Sequence, residues 1–348
     1  MSQQVLRKVC LVGSGNWGSA IAKIIGNNVV RFPNFERTVN MYVYEEIVNG
    51  NKLSEIINTQ HENVKYLPGV KLPENVYAVP SLIDACKDAN VLIFCIPHQF
   101  VVPICKQMKG NLQPDAVGIS LIKGLSHVSV SMERMSDVIA RALNINCSAL
   151  MGANLAHEVA DEQFCETTIG CTDPSLWQMW KDLFHCEYFK VNCVRDILSV
   201  ELCGALKNAI AVGAGIIDAL DYGDNTKAAI IRLGLIEMKE FAELFNDEVN
   251  DDTFFESCGL ADLITTCYGG RNRKVAEAHV RTGKSFEELE KEMLNGQKLQ
   301  GPHTALQVYK ILQEKGVEQR FPLFTSIYRI CYEGESPEHL VKTLRDHF

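Results

Sequence analysis

An ammonium in the middle of an apolar run is costly, and position 207 has one. In "ELCGALKNAIAVGAGIIDAL", residues 201–220, Leu202, Leu206, Ile210, Ala214 and Ile217 recur at helical spacing, and the positions between are small rather than polar. Lys207 sits inside that helix. Burying it without a partner is expensive. It either snorkels along its stem or faces a cleft with its pKa lowered, ready for acid–base work near neutral pH. Asn208 beside it can bond a ligand or fix the ammonium. A second lysine, Lys123, ends the buried run "SLIKG", at the carboxyl edge where open α/β sheets bind ligands. Asp262 and Thr266, spaced i, i+4, share one helical face. Asp262 can orient a lysine or cap its helix, and Thr266 can bond a hydroxyl or a carbonyl. Arg271, Asn272 and Arg273 follow Gly269-Gly270 and open another helix. Backbone amides, a helix N-terminus and a guanidinium fork suit a phosphate.

"GSGNWG", Gly13 to Gly18, fits G-x-G-x-x-G and lies between a strand ending at Val12 and a helix. In that context Gly13 makes the turn, Gly15 admits a pyrophosphate close to the backbone, and Gly18 lets helix and strand pack closely. The next strand ends "MYVYEE". Tyr44, Glu45 and Glu46 lie where an acidic residue would meet the adenine ribose. A carboxylate there repels a 2′-phosphate, so NAD is expected over NADP. "FCIPHQF" ends another strand and offers Phe100 to pack near a nicotinamide. His98 receives no role.

The elements that must position these groups fall into two textures. "RKVCLVG", "VNMYVYEE", "YAVPSLIDACKDANVLIFCIPHQF", "AVGISLIKG" and "CSALMGAN" supply strands. They alternate with helices such as "NWGSAIAKIIGNNV" and "SVSMERMSDVIARAL". Such alternation predicts βαβ units and a doubly wound, mostly parallel sheet. After about Asn192 every periodic segment favours helix. The reading is an α/β chain with a Rossmann-type NAD-binding domain over 1–193 and an all-α substrate-binding and catalytic domain over 194–348. "FNDEVNDDTF", 245–254, reads as the most exposed loop of the second half.

Bulk properties narrow the function. The 348 residues, 47% hydrophobic, suit about two domains. With 34 basic against 43 acidic residues the net charge is −9. A basic face for nucleic acid is not expected, and any positive charge that holds an anion must be local. The 13 cysteines show no C-x-x-C pair and read as reduced core residues, with no metal site expected. The N-terminus lacks a signal-like apolar stretch, and no run approaches the roughly 18 apolar residues of a membrane span. A cytoplasmic protein with no membrane partner is the expectation.

Nine segments together resemble one family: "VGSGNWGSAIAKI", "INTQHENVKYLPG", "SLIKG", "MGAN", "EVADEQFCETTIG", "ELCGALKNAIAVGAG", "GDNTKAAIIRLGL", "ESCGLADLITTCYGGRNRKVAEA" and "LNGQKLQGP". They are similar to the cytosolic NAD-dependent glycerol-3-phosphate dehydrogenases of animals. The resemblance implies a homodimer that reversibly reduces dihydroxyacetone phosphate to sn-glycerol 3-phosphate with NADH. It implies Lys207 as the catalytic lysine and Lys123 as a substrate-binding lysine. Asn208, Asp262 and Thr266 would line the site, and Arg271, with Asn272 beside it, would bind the phosphate. Gly13, Ser14, Gly15, Asn16, Trp17, Gly18, Tyr44, Phe100, Ala156, Arg271, Lys298 and Gln300 would contact the cofactor. His157 departs from the small residue that relatives often have beside Ala156.

On these residue types the acid that meets the developing alkoxide is Lys207, helped by Lys123. Arg271 anchors the remote phosphate. Catalysis is then expected in the cleft between the two domains. Two other readings fit the same residues. One is a dehydrogenase of carboxylate substrates, in which Arg271 holds the carboxylate. The other is a non-catalytic NAD(H)-binding regulator.

Overall fold

The computed structural model describes residues 6–124, 126–128, 131–246 and 249–347. They form two compact units. The first comprises residues up to Ile122, Arg134–Leu150 and Asn154–Ile197. The second comprises Lys123–Glu133, Met151–Ala153 and the chain from Leu198 onward.

An eight-stranded sheet organises the first unit. Its spatial order is Phe189–Val194, Cys165–Gly170, Asn146–Met151, Val117–Ser120, Val91–Phe94, Arg7–Val12, Phe35–Tyr42, Val76–Val79. Arg7–Val12 pairs in parallel with both Phe35–Tyr42 and Val91–Phe94. Parallel pairing continues outward on each side. The chain runs one way from Arg7–Val12 and then returns to build the other way. The carboxyl end of that strand is therefore the switch point at which such sheets hold ligands. Alternation along the strand explains the two-sided winding. Val9 and Leu11 enter one apolar core with the Asn16–Val29 and Trp177–Phe184 helices. Cys10 and Val12 enter another with Leu82–Cys86, Val101–Met108 and Met135–Leu143.

The turn after Val12 is as tight as its glycines require. Gly13 has φ +120°, and a Cβ there would lie 2.3 Å from the Cys95 carbonyl oxygen. A Cβ on Gly18 would lie 2.4 Å from the Gly13 carbonyl oxygen, backbone that cannot swing away. Gly18→Ala is expected to cost about 1–3 kcal/mol of stability, as overpacking does, and to weaken NADH binding with it. Urea unfolding with and without NADH measures both.

The second unit is built on helices. Ile197–Ala219 is at its centre, followed by Asp224–Glu243, Asp262–Gly269, Arg271–Thr282, Gln300–Lys315 and Pro322–Tyr332 among others. Contrary to the expectation that no run is so apolar, Ile197–Ala219 is long and apolar enough by composition to cross a membrane, yet its most apolar stretch is wholly buried by the protein. Its small residues explain how. Cβ atoms on Gly204, Gly213 and Gly215 would meet Met151, Ile327 and the Arg273 backbone within about 3 Å. Neighbouring segments come so close that the helix keeps no wet face.

Three expectations are corrected here. The predicted 129–143 helix begins only at Met135. Ser131–Glu133 is instead a strand paired antiparallel with Ser126–Val128, within the second unit. The first residues of the predicted helix thus pair as a short strand, and residues 129 and 130 lie outside the described ones. The predicted 245–254 loop contains a helix, Asp251–Phe255, capped by the Asn250 side chain, with Phe254 buried; residues 247 and 248 lie outside the described ones. The strand predicted over "VNMYVYEE" is Phe35–Tyr42, so it begins four residues earlier and leaves Tyr44 beyond its end.

Candidate active site

Lys207 is 5% exposed in the second unit. Its ammonium donates to Asp262 Oδ1 and, at 2.8 Å, to Thr266 Oγ1. The Thr266 hydroxyl donates to the Asp262 carbonyl at 2.6 Å, so toward the lysine it acts as an acceptor. Asp262 Oδ2 accepts from the second lysine, Lys123, at 3.0 Å, and Lys123 also donates to the Gly152 carbonyl at 3.2 Å. One buried carboxylate thus joins two ammoniums. Burial drives the Lys207 pKa down to about 7. The Asp262 charge opposes that fall and the Lys123 charge adds to it. Two cations against one anion leave the cluster with a positive balance, and Lys123 is only partly buried.

Local structure explains the meeting. Ser257–Ala261 forms a π-helical turn directly before the Asp262–Gly269 helix. Asp262 is not a cap: the residue before it is already helical, and its carboxylate is spent on lysines. Asp262 and Thr266, one turn apart, present both oxygens to the same lysine. Asn208, adjacent to Lys207 on its helix, points elsewhere, because neighbours in sequence are about 100° apart around a helix. The ammonium is therefore held by Asp262 and Thr266, not by Asn208. Asn208 accepts from Asn272 Nδ2 at 2.9 Å and donates to Gln300 Oε1 at 3.4 Å. Asn272 accepts from the Gly301 amide at 2.8 Å, and Gln300 donates to the Lys123 carbonyl at 3.2 Å.

The phosphate candidate follows at once. The Gly270 amide bonds the Thr266 carbonyl, ending one helix, and Arg271 starts the next. That helix has no acidic residue in its first turn and no side-chain cap, so its first amides and dipole are available to an anion. Arg271 is exposed and donates to Gln297 Oε1 at 2.7 Å. Arg273 points back instead, bonding Asp218 and Glu277.

The dinucleotide candidate lies in the first unit. The Asn16–Val29 helix also lacks a side-chain cap and first-turn acid, and the space in front of Gly15 is open. That cradle fits a pyrophosphate. Ser14 is buried, Asn16 donates to the Tyr66 carbonyl at 2.7 Å, and Trp17 packs on Phe189. Tyr44 is 73% exposed and Phe100 50% exposed. Ala156 opens a short helix, Ala156–Ala160. The strand-end acids are committed elsewhere. Glu45 takes the amide and hydroxyl of Ser54 at a helix start, and Glu46 takes Lys65 and Tyr66. Both carboxylates therefore already carry partners at the strand end. Lys298, in the second unit, pairs with Glu290 at 2.7 Å.

Residues 8–177 match the model of the NAD-dependent glycerol-3-phosphate dehydrogenase N-terminus, and residues 196–342 match that of the C-terminus. The chain belongs to this dehydrogenase family. It is an NAD-dependent oxidoreductase. The human cytoplasmic glycerol-3-phosphate dehydrogenase [NAD(+)] is 59% identical over 98% of each chain. Among solved structures, the Saccharomyces cerevisiae glycerol-3-phosphate dehydrogenase is 43% identical with a TM-score of 0.94, covering 98% of this chain and all of that one. The Plasmodium falciparum enzyme is 42% identical with a TM-score of 0.95, covering 99% and 96%. The human and mouse relatives are named cytoplasmic, the compartment expected for this dehydrogenase.

Several site contacts are not indicated by residue type or spacing. Gln297, Glu290 and the Gly152 carbonyl hold Arg271, Lys298 and Lys123; Gln297 and Gly152 stand in loops within segments of the family resemblance, and Glu290 is a buried helix carboxylate, so no local periodicity marks their role. In the dehydrogenase's first unit, the same is true of Asn63, buried behind the glycine turn.

Proposed function

We propose that this chain reduces dihydroxyacetone phosphate to sn-glycerol 3-phosphate and runs the reverse oxidation, with Lys207 as the acid in one direction and the base in the other. The observation that carries the proposal is the buried Lys207, bonded to Asp262 and Thr266, with Lys123 on the same carboxylate. When bound, NADH supplies the hydride. Charge then grows on the ketone oxygen. The Lys207 ammonium stabilises it and gives up its proton, and Lys123 adds positive charge. Asp262 holds both lysines in place, and Thr266 fixes the direction of the Lys207 protons. Arg271 and the amides of its helix hold the phosphate remote from the reacting carbon, and that binding energy orients the carbonyl. Gly13 to Gly18, Tyr44, Phe100 and Ala156 are proposed for the cofactor, with Lys298 and Gln300 from the Asn295–Gln300 segment. Asn208 and Asn272 tie that segment to the Lys207 and Arg271 helices. The homodimer is proposed on the resemblance alone.

The test is loss of NADH absorbance with dihydroxyacetone phosphate, followed across pH. Reduction needs the ammonium, so its rate should fall as pH rises through about 7, where burial has moved Lys207. Oxidation of glycerol 3-phosphate needs the free amine and should rise over the same interval. A phosphate monoester itself titrates near pH 6. Unphosphorylated dihydroxyacetone, which carries no such group, isolates the lysine. Reduction and oxidation with the same pH slope would count against Lys207 as the shared acid and base.

A further inference from the structure

The residues that grip the glycine turn lie well outside its motif. Asn63 is fully buried in the segment between the Leu53–Gln60 helix and the Val76–Val79 strand. Its Nδ2 donates to the Ser14 carbonyl at 2.7 Å and to Ser19 Oγ at 2.9 Å. Its Oδ1 accepts from the Tyr66 amide at 3.2 Å, and its carbonyl accepts from the Leu67 amide at 2.9 Å. Asn16, two residues along the turn, donates back to the Tyr66 carbonyl. The segment 63–66 therefore holds the turn at Ser14 and at Asn16.

That grip has a directional consequence. In a planar trans peptide the C=O and the following N–H point in opposite directions. With the Ser14 oxygen drawn inward to Asn63, the Gly15 N–H is aimed away from Asn63. Gly15 faces open space on its side-chain side, and it caps a helix whose first turn has no acidic residue. Had the Ser14–Gly15 peptide flipped, its oxygen would face the pyrophosphate and repel it. Glycine, free in φ and ψ, cannot oppose such a flip by itself. We propose that Asn63 is a positioning residue for the cofactor: by fixing the Ser14–Gly15 peptide it keeps the Gly15 N–H turned toward the pyrophosphate. This rests on the NAD-dependent reading of the first unit and adds a residue to it.

Asn63→Asp tests it. The side chain keeps its shape and its acceptor for Tyr66, but sets a carboxylate oxygen against the Ser14 carbonyl. Kd is measured for NADH by fluorescence, and for ADP-ribose and adenosine by competition, with thermal melting alongside. NADH and ADP-ribose, which carry the pyrophosphate, should each bind about tenfold more weakly or worse, the effect of leaving a buried hydrogen-bonding group unmatched. Adenosine should change by less than about twofold, because it does not reach the turn. If the aspartate variant does not fold, Asn63→Ser, with a shorter single donor, is read in the same assay. Equal losses for all three ligands would make Asn63 a general structural residue and overturn the proposal. Unchanged NADH binding in a folded variant would overturn it too. A wild-type chain that fails to bind NADH would instead refute the cofactor reading beneath it.

Discussion

Lys207→Ala should leave NADH binding within about twofold of wild type while turnover of dihydroxyacetone phosphate falls by roughly 10³- to 10⁴-fold, the upper part of what a positioned acid contributes. The two effects separate because they draw on different parts of the chain. The glycine turn and the rings proposed for the cofactor belong to the first unit, whereas Lys207, Asp262, Thr266 and Lys123 all belong to the second. The fold should tolerate the loss. Asp262 keeps Lys123 at 3.0 Å, so its carboxylate is still paired after Lys207 is removed. Removing Asp262 instead would strand two ammoniums, the more damaging arrangement for buried charge. Steady-state absorbance assays and NADH fluorescence titration of the same preparations make the comparison. Equal turnover in wild type and mutant would return Lys207 to a structural role and move the acid to Lys123, whose ammonium is near enough to the same carboxylate to take its place.

The legible parts of this protein were those whose cause is local. A glycine that must adopt φ +120° and another that must clear a carbonyl leave their mark in consecutive residues, so the turn at Gly13 to Gly18 can be read directly. A lysine amid apolar helix positions can be read too, since the helix that buries it is periodic. Asp262 and Thr266 share a face by spacing alone. What could not be read is what distant segments do to each other. Nothing near Asn208 indicates that its amide goes to Asn272 and Gln300 rather than to the lysine beside it. Nothing in "MYVYEE" indicates that Glu45 and Glu46 are taken by Ser54 and Lys65. The π-helical turn before Asp262 adds a backbone step that helical periodicity does not encode, yet it helps set where that carboxylate points. The strand at Ser131–Glu133 is not legible because three residues are too few to outweigh the helix that follows them.

Arg271 is the residue on which substrate choice should turn. A guanidinium gives a phosphate two parallel charge-assisted hydrogen bonds, and the amides of the Arg271–Thr282 helix add a partial positive charge. Losing the guanidinium should cost about 2–4 kcal/mol of binding to the dianion, roughly 30- to 1,000-fold in kcat/KM for dihydroxyacetone phosphate, mostly through KM. Unphosphorylated dihydroxyacetone makes no such contact, so Arg271→Ala should leave its slow reduction within about threefold of wild type. Arg271→Lys should fall between, because a lysine keeps the charge but not the planar fork. Gln297 sharpens the expectation. It already accepts from Arg271, so the guanidinium must exchange or share that partner when a phosphate arrives, and the amides cannot supply the missing charge. Equal losses for both ketones would mean that Arg271 supports the reacting end of the site. The phosphate would then have to be held by the helix amides, and the positive charge that draws an anion to a chain of net charge −9 would reduce to Lys123 and Lys207.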